Sequence, residues 1–419
     1  MGCKSNQYEG AIIAQSLVDN GFEHTFDINN ADYFILNSCS VTQKSDNEAL
    51  YTLRNAKNTN PNIKTILTGC LAQLEINSLK DIEYIDYVYG NDDKFDIAKF
   101  ILSDEHYVVN DIMTVDSFNY QKLNDYSKTR YSIKIQDGCD NRCSYCVIPF
   151  ARGKSRSADE EFIINQLNFA SDNGFKEAVL TGIHIGQWGK EWNKSILDLL
   201  TAIENKSSIY RYRLGSLNPL EISNELLDFL KNSSKFCPHF HLSLQSACNK
   251  ILKAMNRHYT VEYYLEQIDC ISEMFPNIFL GSDIIAGFVG ETDDDFAITV
   301  NNLKKSKLSQ IHVFPYSIRS NTLAKSMDGH LPDKIKQERA DIIKQISKEK
   351  YKEFINKNIN TENEIIVEKN LSKNNGLLKG VTRNYLNVII DDNNKKYLNT
   401  VQRVRIEEFN GELKAKIIC

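Results

Sequence analysis

Residues 131–157 read YSIKIQDGCDNRCSYCVIPFARGKSRS, and this stretch decides the architecture. Its first five residues have the short apolar alternation of a β-strand. Cys139, Cys143 and Cys146 follow at once as C-x3-C-x2-C, in the loop at that strand's carboxyl end. Thiolates this closely spaced can wrap one face of a [4Fe–4S] cluster. Three ligands for four irons leave one iron open to bind a small molecule directly. The other reading is a Cys-rich zinc knuckle or three packed thiols. Structural zinc usually takes four ligands in paired C-x2-C units, and no fourth Cys or His lies nearby in sequence.

Working outward, strands are expected at 131–135, 177–181, 210–214, 239–244, 279–284 and 311–316, with helical patterns between them. Six such βα units fit a partial (β/α)6 barrel better than a flat sheet. A Lys-rich amphipathic helix at 332–356 closes the series. Upstream, helices at 6–20, 42–58 and 94–102 alternate with strands at 32–37, 63–68 and 86–89, the signature of parallel βαβ units in an open doubly wound sheet. Beyond residue 361 the pattern changes to short strands with Asn/Gly turns: EIIVE, GLLKGV, YLNVIID, KYLNT and VRIEEF. That region reads as a small all-β barrel or sandwich. The expected α/β chain therefore divides into residues 1–102, a polar linker at 103–129, the barrel at 130–357 and the β region at 358–419.

The 419 residues are 42% hydrophobic and 25% charged, which excludes a collagen-like, disordered or disulfide-stapled small protein. The net charge of -5 argues against a nucleic-acid partner only as a total. From residue 360 onward 10 Lys and Arg face 8 acids, and residues 332–357 carry 8 against 5. Such a local excess supports RNA binding, with Tyr385 or Tyr397 stacking on bases, or else is an ordinary solvated face. Nothing approaches the ~20 apolar residues of a membrane span. The start, MGCKSN, lacks the Ser or Thr of a myristoylation signal, and Cys419 is terminal, so it does not form a prenylation box. The chain is expected to be soluble and cytoplasmic.

Of the ten cysteines, Cys39 and Cys70 fall just past the expected strands DYFILN and IKTILT, and Cys3 precedes a helix. Ligand sites in open α/β sheets form at that edge, so these three could hold a second cluster; half-buried structural thiols are the alternative. Cys237, Cys248, Cys270 and Cys419 show no such placement and read as inert. His184, His239 and His241 are either metal ligands or, more ordinarily, hydrogen-bonded side chains.

The chain resembles the radical S-adenosylmethionine methylthiotransferase family over almost its whole length. The motifs are GCKSNQYE at 2–9, NSCSVT at 37–42, TGCLAQ at 68–73, IQDGCDNRCSYCVIPFARGKSRS at 135–157, LTGIHIGQWG at 180–189, HFHLSLQSACNKILKAMNRHY at 239–259 and SDIIAGFVGET at 282–292. The C-terminal region resembles that family's RNA-binding TRAM domain, most clearly in GVTRNY at 380–385. GCKxNQYE, SCSVT without a following Arg, and TGIH at 181–184 are most similar to the threonylcarbamoyladenosine subgroup. Enzymes acting on isopentenyladenosine in tRNA or on a ribosomal-protein aspartate are less similar there.

The resemblance implies a transferase that converts N6-threonylcarbamoyladenosine at tRNA position 37, beside the anticodon, to its 2-methylthio derivative. It implies two [4Fe–4S] clusters, held by Cys139, Cys143 and Cys146 and by Cys3, Cys39 and Cys70, which are thus the expected catalytic residues. S-adenosylmethionine would chelate the open iron of the first cluster, and its reductive cleavage would give a radical that takes hydrogen from adenine C2. The second cluster would present the inserted sulfur, and a second S-adenosylmethionine the methyl group. Gly182, Ser216, Gln245, Asp283 and Phe314 are the implied cofactor contacts. The implied partners are tRNA and a reductant such as flavodoxin or ferredoxin, with no membrane. A rival from another class is a non-catalytic iron–sulfur electron carrier with an RNA-binding tail, although carriers usually close all four irons with Cys. One departure stands out: the family has a strand before its first cysteine, so the sheet is expected to lack that strand and Cys3 its anchor.

Overall fold

Apolar side chains on the N-terminal strands bind helices on both faces. The computed structural model describes residues 2–123, 128–371, 376–390, 394–409 and 412–418. In order come α1 (Lys4–Asp19), β1 (Tyr33–Ser38), α2 (Gln43–Thr59), β2 (Lys64–Gly69), α3 (Cys70–Leu79), β3 (Tyr87–Tyr89), α4 (Ile97–Leu102) and β4 (Tyr107–Val108). The strands pair parallel as β1-β2-β3-β4. Leu36, Leu67 and Val88 pack with Leu53 of α2 and Leu71 of α3, while Ile66 and Tyr89 meet Ile13 of α1 and Ile97 of α4. Both faces are covered, and the strand order among the described residues runs without reversal.

Residues 103–129, read as linker, contribute β4, where His106 O and Val108 O accept hydrogen bonds from Val88 N and Gly90 N, both at 2.8 Å. They also bury Phe118 and Leu123 in the central core. A two-residue strand is too short to show a period, so sequence pattern misses it.

The central region begins with β5 (Arg130–Lys134). A short antiparallel pair, β6 (Gln136–Asp137) and β7 (Arg156–Ser157), then brackets the cysteine loop and α5 (Ile148–Arg152). After α6 (Glu160–Asp172) come β8 (Glu177–Thr181), α7 (Ile196–Lys206), β9 (Arg211–Leu214), β10 (Ser216–Leu217), α8 (Asn224–Asn232) and β11 (His239–Leu242). They are followed by α9 (Asn249–Ala254), α10 (Val261–Met274), β12 (Phe279–Ala286), α11 (Asp293–Lys305) and β13 (Gln310–Pro315). All six expected strands form and run parallel, the third interrupted at Gly215. Its first part, β9, pairs with β8, and its second, β10, pairs with β11. The result is an open barrel made of a three-stranded and a four-stranded sheet.

Tyr131 and Ile133, Ala178 and Leu180, Tyr212 and Leu214, Phe240 and Leu242, and Leu280 and Ile284 enter one core with the surrounding helices. Side chains alternate along a strand, so Arg130, Lys134, Glu177, Arg211, Arg213, His239, His241 and Asp283 face the lumen instead. The barrel is apolar outside its wall and charged within it.

α12 (Asp333–Asn358) packs on β12 and β13. Three of its eight basic residues turn inward: Lys336, Arg339 and Lys350 are buried, with Arg339 2.7 Å from Glu291 and Lys350 donating to Ser306 O at 2.6 Å. Five basic residues then remain outside against five acids, so the expected basic excess of this helix is not a surface property. β14 (Glu362–Val367), β15 (Lys379–Thr382), β16 (Asn387–Ile390), β17 (Val401–Phe409) and β18 (Glu412–Ile417) close a barrel in the order β14-β15-β16-β18-β17. KYLNT is not a strand: Asn394 accepts from Lys396 N at 3.1 Å and starts a 3-10 turn over Lys395–Tyr397. The fifth strand is ELKAKI instead, whose charged alternation hid it. Asp391, which ends the YLNVIID call, and Cys419 lie outside the described residues. No described helix is long and apolar enough to cross a membrane.

Candidate active site

Cys3, Cys39 and Cys70 come from three loops. Cys3 caps α1, Cys39 follows β1, and Cys70 opens α3 directly after β2. The approach is tight: a Cβ on Gly2 would lie 2.7 Å from Cys39 Cβ. Asn6 Nδ2 holds this turn by donating to Ser38 O at 2.6 Å. The thiols sense one another. Burial first, and then the Cys70 and Cys3 sulfurs, push the Cys39 thiol up to about 11. Cys3 is solvent-exposed, yet desolvation by the surrounding protein raises its thiol as well.

Cys139, Cys143 and Cys146 are also brought together. Cys139 N donates to Gly153 O at 3.1 Å, and Ser144 is fixed to Met255 O and Ala254 O beyond β11. Burial, with the neighbouring Cys143 and Cys139 thiols, pushes Cys146 up to about 12. Arg257 Nη1 lies 3.5 Å from Cys143 Sγ. His184 Nδ1 stands 3.6 Å from Cys139 Sγ, and its Nε2 meets Glu221; burial would lower its pKa, but these contacts raise it to about 9.

Thiols that hinder each other's ionisation call for a cationic centre, and three soft sulfur donors suit iron–sulfur ligation. Among the described residues no three His, Cys, Asp or Glu side chains converge on a single metal ion. Three thiolates, one on each of three irons, match a [4Fe–4S] cluster, whereas structural zinc usually takes four ligands. Cys237, Cys248 and Cys270 lie elsewhere, beside Glu177, Asp295 and Met274 respectively.

A buried ionic network joins the two sets. Arg152, six residues after Cys146, donates to Glu9 Oε1 and Oε2 at 2.8 and 2.9 Å, to Asn6 Oδ1 at 2.8 Å and to Asp137 Oδ1 at 3.0 Å. Lys94 and Lys134 also reach Glu9, at 2.7 and 3.0 Å. Burial alone would raise Glu9, but Arg152, Lys134 and Lys94 hold it well below the usual carboxylate range. Asn91 Nδ2 spans Cys70 Sγ at 3.6 Å and Ala151 O at 2.7 Å. On the far side Arg319, past β13, binds Ser40 and Asp46 next to Cys39, both at 2.6 Å.

Of the implied cofactor contacts, Gly182 directly follows β8, Ser216 lies on β10 with its Oγ 2.9 Å from Ser243 Oγ, and Gln245 follows β11 with φ of 69°. Asp283 is on β12, 3.0 Å from His241, and Phe314 is a half-exposed ring on β13. These five line adjacent strands. The three histidines do not form one site: His184 sits by the cysteine loop, His239 stacks on Phe279, and His241 pairs with Asp283. Tyr385 does not face outward to stack on bases. It enters the barrel floor, 4.7 Å from the Arg213 guanidinium and 4.7 Å from His239 between ring centroids. Sequence reading missed Glu9, Arg152, Lys134, Arg213 and Arg257; charged residues at alternate positions in YSIKI and RYRL were the available sign.

Residues 1–90 match the uncharacterized protein family UPF0004, and residues 133–303 match the Radical SAM superfamily. The threonylcarbamoyladenosine tRNA methylthiotransferase MtaB of Aquifex aeolicus is 34% identical over 395 residues, 93% of this chain and 94% of that protein. The protein of the same name from Thermotoga maritima is 35% identical over 92% of this chain and 88% of its own. The tRNA-2-methylthio-N(6)-dimethylallyladenosine synthase of Thermodesulfovibrio yellowstonii is 35% identical over 81% and 79%. The radical S-adenosylmethionine methyltransferase TsrM from Kitasatospora setae, solved with cobalamin and a [4Fe-4S] cluster, superposes with a TM-score of 0.58 at 13% identity, over 76% of this chain and 74% of its own, a likeness of fold. Two domain profiles in this order, relatives matched nearly end to end, and two sets of three thiols joined by one network converge: the chain belongs to the radical S-adenosylmethionine methylthiotransferase family.

Proposed function

We propose that this protein converts N6-threonylcarbamoyladenosine 37 of cytoplasmic tRNA to its 2-methylthio derivative. In this reading Cys139, Cys143 and Cys146 hold one [4Fe–4S] cluster and Cys3, Cys39 and Cys70 a second. When bound, S-adenosylmethionine on the first cluster supplies the one-electron chemistry that removes hydrogen from adenine C2, and the second cluster supplies sulfur. The observation that carries the reading is the Arg152–Glu9–Asn91 network, which fixes the two thiol sets relative to each other at one side of the barrel. The Arg152 and Arg257 cations stand beside the sulfur donors and offset their negative charge. Gly182, Ser216, Gln245, Asp283 and Phe314 line the strands where a cofactor would lie, and the flavodoxin or ferredoxin reductant would approach from outside. The first relatives given above bear the threonylcarbamoyladenosine name, which favours that substrate over isopentenyladenosine. Membership of a transferase family replaces the electron-carrier reading.

Anaerobic reconstitution with iron and sulfide tests this. The intact chain should hold about eight irons. Alanine at Cys139, Cys143 and Cys146 should remove half and abolish S-adenosylmethionine cleavage; alanine at Cys3, Cys39 and Cys70 should remove the other half and spare cleavage while ending thiolation. About four irons in the intact chain would refute the two-cluster assignment. Mass analysis of tRNA nucleosides from a deletion strain settles the substrate: persistence of the methylthio derivative of threonylcarbamoyladenosine would overturn it.

A further inference from the structure

The lumen of the open barrel carries more cationic charge than it neutralises. Arg130, Arg211 and Arg213 project into it around a single buried acid, Glu177, at 4.0, 2.8 and 3.1 Å. Glu364 reaches Arg211 from the C-terminal barrel at 3.2 Å. Lys4 enters the same space from the first turn of α1, next to Cys3. Its side chain is exposed, and among the described residues it makes no hydrogen bond or ion pair. Its ammonium lies 5.9 Å from the centroid of the Tyr385 ring, which also lies 5.7 Å from the Arg130 and 4.7 Å from the Arg213 guanidinium. Lys4, Arg130 and Arg213 thus surround the Tyr385 ring, and Glu177 pairs with the two arginines while Lys4 makes no ion pair among the described residues.

Tyr385 shows that this place is built. A bulky residue at φ of 71° is strained, and such strain persists only where its surroundings over-determine it. Here Asn384, the preceding residue, is pinned by bonds to Asn277 O and Asn358 Oδ1, at 2.8 and 2.9 Å. The turn between β15 and β16 is thereby held so that the phenol sits under Lys4.

We propose that Lys4, backed by Arg213 and Arg130 around the Tyr385 ring, receives the carboxylate at the end of the N6 substituent and is the residue that selects a threonylcarbamoyl over an isopentenyl group. This rests on the substrate reading above. A carboxylate taken out of water is costly unless it finds charge-assisted partners, and here Lys4, Arg130 and the buried Arg213 converge on one ring. A hydrocarbon substituent in the same space would leave three cations facing an apolar group, which acts against the wrong substrate. A backbone phosphate is the other source of negative charge, but it is common to every tRNA and gives no preference among N6 substituents.

The test uses the reconstituted full chain and one tRNA in three forms, with adenosine 37 carrying threonylcarbamoyl, isopentenyl or nothing. The wild type should bind the threonylcarbamoyl form about tenfold or more tightly than the unsubstituted one. Lys4→Met should remove that preference, leaving iron content and affinity for the unsubstituted tRNA unchanged, and Lys4→Arg should keep most of it. A Lys4→Met protein that retains the preference overturns the inference, and so does one that weakens all three tRNAs equally, which would mark a phosphate contact. A wild type that prefers the isopentenyl form overturns the substrate reading itself, a different outcome from the other two. Because Lys4 adjoins Cys3, a second measurement needs no variant: the threonylcarbamoyl nucleoside should bind the wild type more tightly than its neutral carboxamide, and equal binding overturns the proposal.

Discussion

Glu177 shows how one side chain ties the barrel floor together. It lies at the start of β8 and is fully buried, and it accepts from Arg211 Nε and Arg213 Nε at 2.8 and 3.1 Å. Burial alone would raise its pKa, but Arg213, Arg211 and Arg130 hold it at about 2. A carboxylate depressed on folding stabilises the native state at pH values above its unfolded pKa, and this contribution is lost as pH falls through the folded value. The loss therefore runs from about pH 5 down to about pH 2. Glu177→Gln should cost roughly 3 kcal/mol at neutral pH, because the buried Arg213 guanidinium is left without a counter-charge and Arg211 keeps only Glu364. Denaturant titrations of both proteins at pH 7 and pH 3 check this. The gap between them should narrow at pH 3, and a constant gap would assign the loss to packing.

At the scale of elements, the cysteine loops depend on glycines that bring backbone close to backbone. Gly138 sits at φ of 69° between β6 and Cys139, and a Cβ there would lie 1.8 Å from the Lys154 carbonyl oxygen. Gly69, at φ of 89° before Cys70, would strike Ser38 O at 2.5 Å. Neither clash is with a flexible side chain, so the loop itself must move. Gly138→Ala should displace Cys139, lowering iron at that set by about half or more and abolishing S-adenosylmethionine cleavage, while the Cys3, Cys39 and Cys70 set keeps its iron. Gly10 is the control: it lies inside α1 with open space around its Cβ position, so Gly10→Ala should stabilise by roughly 0.4–1 kcal/mol in a thermal melt. The same scale explains α12. Its charge pattern promised a basic surface, but the buried Lys336, Arg339 and Lys350 serve packing and ion pairing with the barrel.

For the whole molecule, the C-terminal barrel is part of the central fold. Arg211 and Arg213 donate to Val381 O and Thr382 O at 3.1 and 3.3 Å, and Arg383 returns to Ser234 O and Phe236 O at 2.7 and 2.9 Å. Phe279 of β12 belongs to the core of the small barrel. Removing residues 359–419 would expose these arginines and that ring together. The truncated chain should therefore melt well below the full chain or fail to stay soluble, and calorimetry of the two decides it. An unchanged melting temperature would show that the C-terminal barrel is an independent attachment, as its different sequence character suggested.

The sequence by itself determined what depends on near neighbours. A strand followed at once by C-x3-C-x2-C placed one set of thiols at a strand end, and two-residue and 3.6-residue periods located all six barrel strands to within a few residues. Cys39 and Cys70 were legible because each ends a strand in the same way. Only the tertiary structure decided which charges are hidden and whom they meet. Glu9 and Arg152 are 143 residues apart and share two hydrogen bonds. Lys4 and Tyr385 come from opposite ends of the chain to one lumen. The physical reason is that a period says which face of an element is apolar, whereas the environment of a polar side chain is set by whatever distant segment closes over it.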